Sequence, residues 1–408
     1  MKSAHIRLYD IPVIWLLIYF SGKLLFDEVP YLFELVSLAM IAIYTVAWLV
    51  CEGPYTRHKL TLVSIFVVFC VYVIVNALLQ CTRQELFRAI YEYAVYTCMF
   101  FAMSYLLPKA DLTKCLSAFL LWGVIIAGLS WVEYFTQTYI VSDIQYNIGY
   151  AGFRATVFSR SYLSHGTLLG IFSLVGMGLF YIQKKVRWVL AAVFCYAAIL
   201  TTASRGPLVA AGFALVCQFM LNAYISKKYS KKRFGASILL IAAILVVIVI
   251  VFGTFTTGNE TIDYFLYRIR SIVNWNGDAG NLGRLQIWAQ SIDWFKTNVL
   301  FGIGPSKTGS WSEATIGVTE SGVLKRLCEL GIVGVTIYYF FVFIILKKGI
   351  RSYRAMNAAS KKNMLPWIGI IIAIMINDCT LQVTEEIMVS FFMFTALAEI
   401  DVAEASRQ

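Results

Sequence analysis

Residues 60–80 read LTLVSIFVVFCVYVIVNALLQ, a run without a charged side chain. A helix rises about 1.5 Å per residue, so this run is about 31 Å long, and the hydrocarbon core of a bilayer is about 30 Å thick. The chain of 408 residues is 60% hydrophobic and 14% charged, and similar runs recur along it. Hydropathy and flanking charge predict an all-α polytopic membrane protein with about twelve transmembrane helices, at residues 8–26, 31–51, 60–80, 84–107, 113–135, 161–182, 187–203, 206–225, 236–256, 323–346, 364–383 and 386–402.

The distribution of charge predicts how these spans are oriented. The net charge is +11, which in a soluble protein would suggest a nucleic-acid partner. With the N-terminus placed in the cytoplasm, most of the 34 basic residues fall in cytoplasmic segments, as the positive-inside rule requires. We therefore expect no nucleic-acid partner, both termini in the cytoplasm, and two long outer loops at residues 136–160 and 257–322.

The chain is predicted to form one integral membrane domain, residues 1–408, without a soluble domain or an internal repeat. Its nine cysteines include no CxxC pair, and most lie in apolar spans, where cysteine behaves as a small hydrophobe. We therefore expect no metal site, no cofactor and no structural disulfide. The first span lacks a small-residue cleavage site and is predicted to be retained.

The second outer loop contains the pattern of an amphipathic helix. Residues 283–295 read GRLQIWAQSIDWF and place Leu285, Trp288, Ile292 and Phe295 at helical spacing on one apolar face. The pattern predicts a helix near 283–298, lying on the membrane or across the outer mouth of the bundle. The glycine-rich turn FGIGP at 301–305 would end it. A surface helix that only stabilises the bundle is the alternative.

Arg205 is the first candidate for chemistry. It lies in TTASRGP, residues 201–207, a very short outer turn between two apolar spans, so its guanidinium must sit near the outer membrane boundary. Charge there is costly and is usually functional when it faces the bundle or a wet cavity. An arginine binds phosphate oxygens bidentately and keeps its charge. The alternative is that Arg205 only reaches towards lipid headgroups.

Further arginines occur in the two outer loops, against the prevailing cytoplasmic bias. They are Arg154, Arg160, Arg268, Arg270 and Arg284. Together they fit a binding site for an acidic group at the outer membrane surface, and a lipid-linked pyrophosphate has that charge and that location. Taken singly, each is also compatible with an ordinary surface charge.

Glu320 is the preferred candidate for proton transfer, because it immediately precedes the apolar re-entry into the membrane, where partial desolvation favours a general base. The alternative is an acid placed to favour the helix macrodipole. Glu329 is predicted to be structural, paired with Lys325 or with Arg326 one turn away. The remaining acidic candidates are Asp263, Asp278, Asp293, Glu313, Asp378, Glu385 and Glu386.

Four of these motifs, in this order, resemble those of the O-antigen polymerase and O-antigen ligase superfamily (Wzy and WaaL types). They are SRG at 204–206, GRLQIW at 283–288, LFGIGP at 300–305, and the re-entry from Glu320-Ser321 to ELGIVG at 329–334. FRAT at 153–156 also resembles the arginine-bearing outer segment that precedes them in that superfamily. The motifs cover residues 150–345, and the span count extends the resemblance to the whole chain.

The resemblance implies a GT-C-like glycosyltransferase at the outer face of the bacterial inner membrane, with an undecaprenyl-diphosphate-linked sugar as donor. Polymerases transfer the growing chain to the next lipid-linked repeat unit, whereas ligases transfer it to lipid A core. Ligases typically carry histidine where this chain has Glu320, so the sequence favours a polymerase. A chain-length regulator is then a candidate partner. Arg205 and Arg284 are predicted to stabilise the departing pyrophosphate, with Arg154, Arg160, Arg268 and Arg270 as binding residues and Glu320 as the base.

Two other classes of protein remain open at this point. A lipid-linked oligosaccharide flippase or another secondary transporter can also have twelve spans and internal arginines. Transporters usually show repeat symmetry and short loops, and this sequence has neither. In a non-catalytic assembly subunit, the arginine-rich loops would be surface only.

Overall fold

The computed structural model describes residues 7–27, 32–52, 56–141, 153–159, 161–226, 279–309 and 316–403. Almost all regular structure in these ranges is helical. The helices are α1 (Asp10–Ser21), α2 (Lys23–Asp27), α3 (Leu32–Ala47), α4 (Arg57–Gln80), α5 (Arg83–Ala89), α6 (Tyr96–Leu106), α7 (Leu112–Thr136), α8 (Tyr162–Gln183), α9 (Val186–Ala198), α10 (Arg205–Ile225), α11 (Ala279–Thr297), α12 (Gly322–Ala355), α13 (Ala358–Asn363), α14 (Leu365–Thr380) and α15 (Ile387–Val402).

The helices confirm an all-α polytopic membrane protein. In the described ranges, seven helices are long and apolar enough to cross a membrane, and Asp10–Ser21 and Val186–Thr202 are shorter apolar helices. Every predicted span coincides with helix except 236–256, which lies outside the described residues. The predicted span 84–107 is α5 and α6 joined through a π-helical stretch at Ile90–Val95.

The bundle is built around α8, which packs against α7, α9, α10 and α14. Of the most apolar part of α8, 83% is buried, against 28% for α4, whose valine and leucine side chains are largely exposed. Gly170 and Gly176 allow close helix approach, since a Cβ there would lie 2.9 Å from Ala211 Cβ and 2.8 Å from Ala192 Cβ. Small residues at helix interfaces serve this purpose in membrane proteins. Apolar side chains at the periphery are the expected contact with lipid.

Both α10 and α12 begin at the same end of the bundle, which we call the Arg205 end. The opposite end carries the starts of α4 and α9 and the last turn of α15. There His58 Nε2 lies 2.7 Å from Asp401 Oδ1, and Lys348 Nζ donates to the same oxygen at 3.2 Å. The predicted outer residues Arg205 and Glu320 therefore lie at one end, and the predicted cytoplasmic residues His58 and Lys348 at the other.

Helix α12 is broken at Gly331, where φ is 60° and ψ is −173°. The freed backbone groups pair with residues 299–304, which we call the 299–304 turn. Four backbone hydrogen bonds join them: Ile303 N to Cys328 O (2.8 Å), Gly304 N to Glu329 O (3.2 Å), Ile332 N to Val299 O (2.9 Å) and Val333 N to Leu300 O (3.2 Å). Irregular backbone in a membrane protein needs such partners, because an unpaired buried N–H or C=O is costly.

Gly331→Ala is expected to destabilise the protein. Only glycine adopts this φ/ψ combination readily, and a Cβ would collide with the Leu300 carbonyl oxygen. The conformational cost alone is about 1–3 kcal/mol, and it should appear as a lower midpoint of thermal unfolding in detergent. The control is Gly128→Ala in α7, where a Cβ meets nothing within 4 Å and alanine favours the helix. Equal midpoints for both variants would contradict the assigned strain.

The helix that the sequence predicted near 283–298 corresponds to α11, which packs along the first turns of α12. Its apolar stripe lies at the edge of the packed face rather than at the centre. Leu285 and Ile292 are each 43% exposed, whereas Ser291 is fully buried. On the packed face, Cys328 Sγ donates to Ser291 O at 2.9 Å.

Candidate active site

The backbone around Glu320 is held in an unusual conformation. Glu320 has φ 51°, in the left-handed region. On one side, Ser321 caps α12 by accepting a hydrogen bond from Leu324 N at 3.3 Å. On the other side, Thr319 donates from N (3.0 Å) and from Oγ1 (2.8 Å) to Gln382 Oε1. These contacts fix the backbone position from which the Glu320 side chain extends.

Arg284 and Glu320 form an ion pair between α11 and the start of α12. Arg284 Nε lies 3.4 Å from Glu320 Oε2, and the two side chains are 24% and 28% exposed. One helical turn along α11, Trp288 Nε1 donates to Glu320 O at 3.1 Å. The structure thus brings together two residues that the sequence analysis selected for different roles.

Leu381 connects the start of α10, where Arg205 lies, with the start of α12. Arg205 is the first residue of α10 and is half-buried. A Cβ on the next residue, Gly206, would lie 2.7 Å from Leu381 Cδ1, and Gly322 N donates to Leu381 O at 3.2 Å. Leu381 therefore touches the start of α10 and the start of α12, and Arg205 lies at the same end of the bundle as Glu320.

The start of α10 has the character of an anion-binding position. The Ser204 side chain does not cap the helix; its Oγ donates to Thr202 O at 3.2 Å instead. A cation at a helix N-terminus is electrostatically unfavourable, because the macrodipole is positive there. Arg205 and the first amides of α10 would together favour a negatively charged group.

Arg154 is buried, with 8% of its surface exposed. Its guanidinium carbon lies 4.2 Å from the centre of the Tyr162 ring, a cation–π contact. The following residue, Ala155, donates from its backbone N to Thr201 O at 3.0 Å. This bond joins the segment to the turn that leads into Arg205, so Arg154 also lies at the Arg205 end.

Glu133, a buried acid at the end of α7, organises the same segment. Its Oε2 accepts the backbone amides of Thr156 and Val157, both at 2.9 Å, and its Oε1 accepts the amide of Ile140 at 2.9 Å. Burial, with a contribution from the Glu133 carboxylate, raises the pKa of Tyr139. Glu133 is not among the residues predicted from the sequence, although an acid near the end of an apolar span is a recognisable signal.

The other predicted residues either lie outside the described residues or have contacts elsewhere. Arg160, Arg268, Arg270, Asp263, Asp278 and Glu313 lie outside the described residues. Asp293 is exposed and pairs with Lys296 on the same helix at 2.9 Å, an ordinary surface contact. Asp378 pairs with Arg326 and accepts a hydrogen bond from Thr384 Oγ1 at 2.6 Å, so its charge is already compensated.

Beside the site lies a buried charge cluster that the sequence analysis did not predict as a unit. Its centre is Lys325, whose Nζ lies 3.1 Å from Glu92 Oε2, 3.7 Å from Glu329 Oε1 and 3.8 Å from Glu385 Oε1. The predicted pairing of Lys325 with Glu329 is confirmed. Glu92 comes from the π-helical stretch at Ile90–Val95, which only the tertiary structure brings to Lys325.

A small polar cavity lies within this cluster, between Lys325 and Arg326 on α12 and Thr384 and Glu385 on the loop after α14. Its volume is about 20 Å³, which is room for about one water molecule. The charged groups of the cluster pair with one another, so we interpret the cluster as a support beside the candidate active site.

Comparison with known families agrees with the motifs. Residues 189–339 match the family model described as O-antigen ligase. That segment contains Arg205, Arg284 and Glu320 but not Arg154. A search of curated proteins returned no match. The family match supports the superfamily of O-antigen polymerases and ligases and a multi-pass membrane protein, and it does not single out the polymerases.

Proposed function

We propose that this protein is a polysaccharide polymerase, a glycosyltransferase that moves a growing glycan from undecaprenyl diphosphate to the next lipid-linked repeat unit. The observation that carries the proposal is the Arg284–Glu320 ion pair, at the same end of the bundle as Arg205 and in the segment matched to a family of membrane glycosyl-transfer enzymes. It combines a cation suited to phosphate with a carboxylate suited to a hydroxyl proton.

The proposed location is the outer face of the bacterial inner membrane, with the Arg205 end facing the periplasm and both termini in the cytoplasm. The opposite end of the bundle carries the basic residues that the positive-inside rule assigns to the cytoplasm, among them Lys184, Lys185, Lys347 and Lys348. A lipid-linked donor and acceptor would reach the Arg205 end from the same leaflet.

In the proposed reaction, the bond between the anomeric carbon of the donor sugar and the diphosphate oxygen breaks. The electron pair leaves with the diphosphate. Arg205, Arg284 and the first amides of α10 would stabilise that growing negative charge, which is larger in the transition state than in the bound donor. Arg154 would contribute further positive potential from its buried position.

Glu320 would accept the proton of the attacking sugar hydroxyl. An arriving diphosphate would compete for Arg284, so donor binding would free the Glu320 carboxylate for the acceptor hydroxyl. The backbone supports a role for this side chain. Placing a non-glycine residue in the left-handed region costs about 1–2 kcal/mol of conformational free energy. Glycine would adopt this conformation without that cost, so the backbone conformation does not explain why a glutamate stands here.

The polymerase is preferred to the ligase because Glu320 occupies the position at which ligases of the resembled superfamily typically carry histidine. Gel analysis of the surface polysaccharide from a deletion strain tests the proposal. Core bearing a single repeat unit is the expected result. Bare core with accumulated lipid-linked polymer would indicate a ligase, and the loss of outward-facing repeat units would indicate a flippase.

Glu320→Gly is expected to lower the transfer rate about 100-fold, because it removes the proposed base, without lowering thermal stability. Glycine adopts φ 51° freely, which offsets the loss of a partly exposed ion pair. Glu320→Gln is the matched variant that keeps the size of the side chain, and it should lose activity similarly. A normal rate for Glu320→Gln across the pH range would exclude Glu320 as the base.

A further inference from the structure

Helix α11 packs along the first turns of α12, and contacts join the two helical segments at both ends. The Arg284–Glu320 ion pair is at one end. The 299–304 turn, bonded to the break at Gly331, is at the other. Gly322, where α12 begins, and Gly331 are separated by about 14 Å of helix. If α11 moved relative to α12 at the Gly331 end, the distance and orientation of Arg284 relative to Glu320 would change as well.

The chain after the 299–304 turn is held down by Glu329. Thr308 donates to Glu329 Oε1 from its backbone N at 3.0 Å and from Oγ1 at 2.6 Å. Lys325 Nζ donates to Thr308 O at 3.2 Å. Ser306 Oγ donates to Glu92 Oε2 at 3.3 Å. The buried charge cluster thus forms direct hydrogen bonds with Ser306 and Thr308.

The contacts of Glu329 are those of a structural residue and not of a reacting group. It is fully buried, and its second oxygen accepts from Tyr93 OH at 2.6 Å. Its backbone carbonyl also accepts from Gly304 N. Glu329 therefore binds Thr308, the 299–304 turn and the π-helical stretch at Ile90–Val95. A buried carboxylate depends on keeping such partners, which makes the arrangement stiff.

We propose that Glu329 is a positioning residue: by holding Thr308 it closes residues 299–308 over the break in α12 and keeps Arg284 aligned with Glu320. The inference rests on the proposed transfer reaction for its catalytic consequence. Loss of alignment would weaken charge stabilisation in the transition state, because small displacements of a catalytic group are expensive. Arg205 belongs to α10 and would still bind the donor, so kcat should change much more than KM.

Thr308→Val tests this with little change in shape. It removes the hydroxyl bond to Glu329 and leaves the backbone bond in place. We expect kcat to fall about tenfold and KM to stay within about twofold, as one charge-assisted hydrogen bond is lost. Thr308→Ser restores the hydroxyl and should return kcat to within about twofold of the wild type. The matched control is Thr297→Val, at the exposed end of α11, whose hydroxyl bonds only locally to Trp294 O.

Two measurements on the full-length protein in lipid vesicles separate the possible outcomes. The first is kcat and KM for polymer formation from purified lipid-linked repeat units. The second is hydrogen–deuterium exchange of peptides from residues 279–308, which needs no activity. Thr308→Val should speed exchange there, and Thr297→Val should leave residues 299–308 unchanged.

Several results would overturn the inference. They are unchanged exchange in Thr308→Val, an unchanged kcat, a change confined to KM, or a loss of kcat that Thr308→Ser or Thr297→Val shares. If the wild type forms no polymer, the proposed function fails. The exchange experiment still decides whether Thr308 and Glu329 hold α11.

Discussion

Arg205→Ala is expected to slow chain extension about 100- to 1000-fold, the usual cost of removing a fixed group that stabilises developing negative charge. The protein should still fold in the membrane, since Arg205 is a half-buried first residue of α10 and not part of the fully buried core. Arg205→Lys should recover only part of the rate, because an ammonium cannot bind two phosphate oxygens in a planar fork.

The control for Arg205 is Arg83→Ala. Arg83 is also the first residue of a helix, α5, but it is exposed. The measurements are polymer length on gels from complemented deletion strains and the initial rate with purified lipid-linked repeat units. Full-length polymer at the wild-type rate from Arg205→Ala would refute a role for this arginine on the diphosphate.

Arg284→Ala is expected to have an effect of similar size, about 100- to 1000-fold on the rate. Its loss also leaves Glu320 without its ion-pair partner. If Arg284 and Glu320 act in one step, their effects should not add: the double variant Arg284→Ala/Glu320→Gln should be little slower than the slower single variant. The control is Lys296→Ala on the same helix, which removes only an exposed pair with Asp293.

Additive losses in the double variant would mean that the two residues act independently. Activity in Arg284→Ala equal to that of Lys296→Ala would reject the phosphate role of Arg284. The roles of Arg205, Arg284 and Glu320 stay predictions until such rates are measured.

The membrane helices could be predicted because each depends on local information. The predicted span 60–80 corresponds to α4 (Arg57–Gln80), and the predicted span 161–182 to α8 (Tyr162–Gln183). The length of an apolar run decides whether it spans, and no distant residue is needed for that decision. The break at Gly331 was less accessible, because ELGIVG continues an apolar helical pattern and the partner that permits the break is the 299–304 turn.

The candidate site was predicted as a set of residues and not as an arrangement. Charge on an otherwise apolar chain identified Arg205, Arg284 and Glu320. The same rule applied to the π-helical stretch at Ile90–Val95 and to α12 would have selected Glu92, Lys325 and Arg326. What it could not do was choose partners, since an arginine can pair with any of several acids, and Arg326 pairs with Asp378 rather than with Glu329.

The sequence by itself determined that this is a helical membrane protein and where the described membrane helices lie, because burial cost and helix periodicity act residue by residue. Only the tertiary structure decided that Arg284 meets Glu320, that Leu381 joins the start of α10 to the start of α12, and that Lys325 and Glu329 bind Thr308. Those contacts join residues far apart in the chain, and they depend on how several helices pack at once.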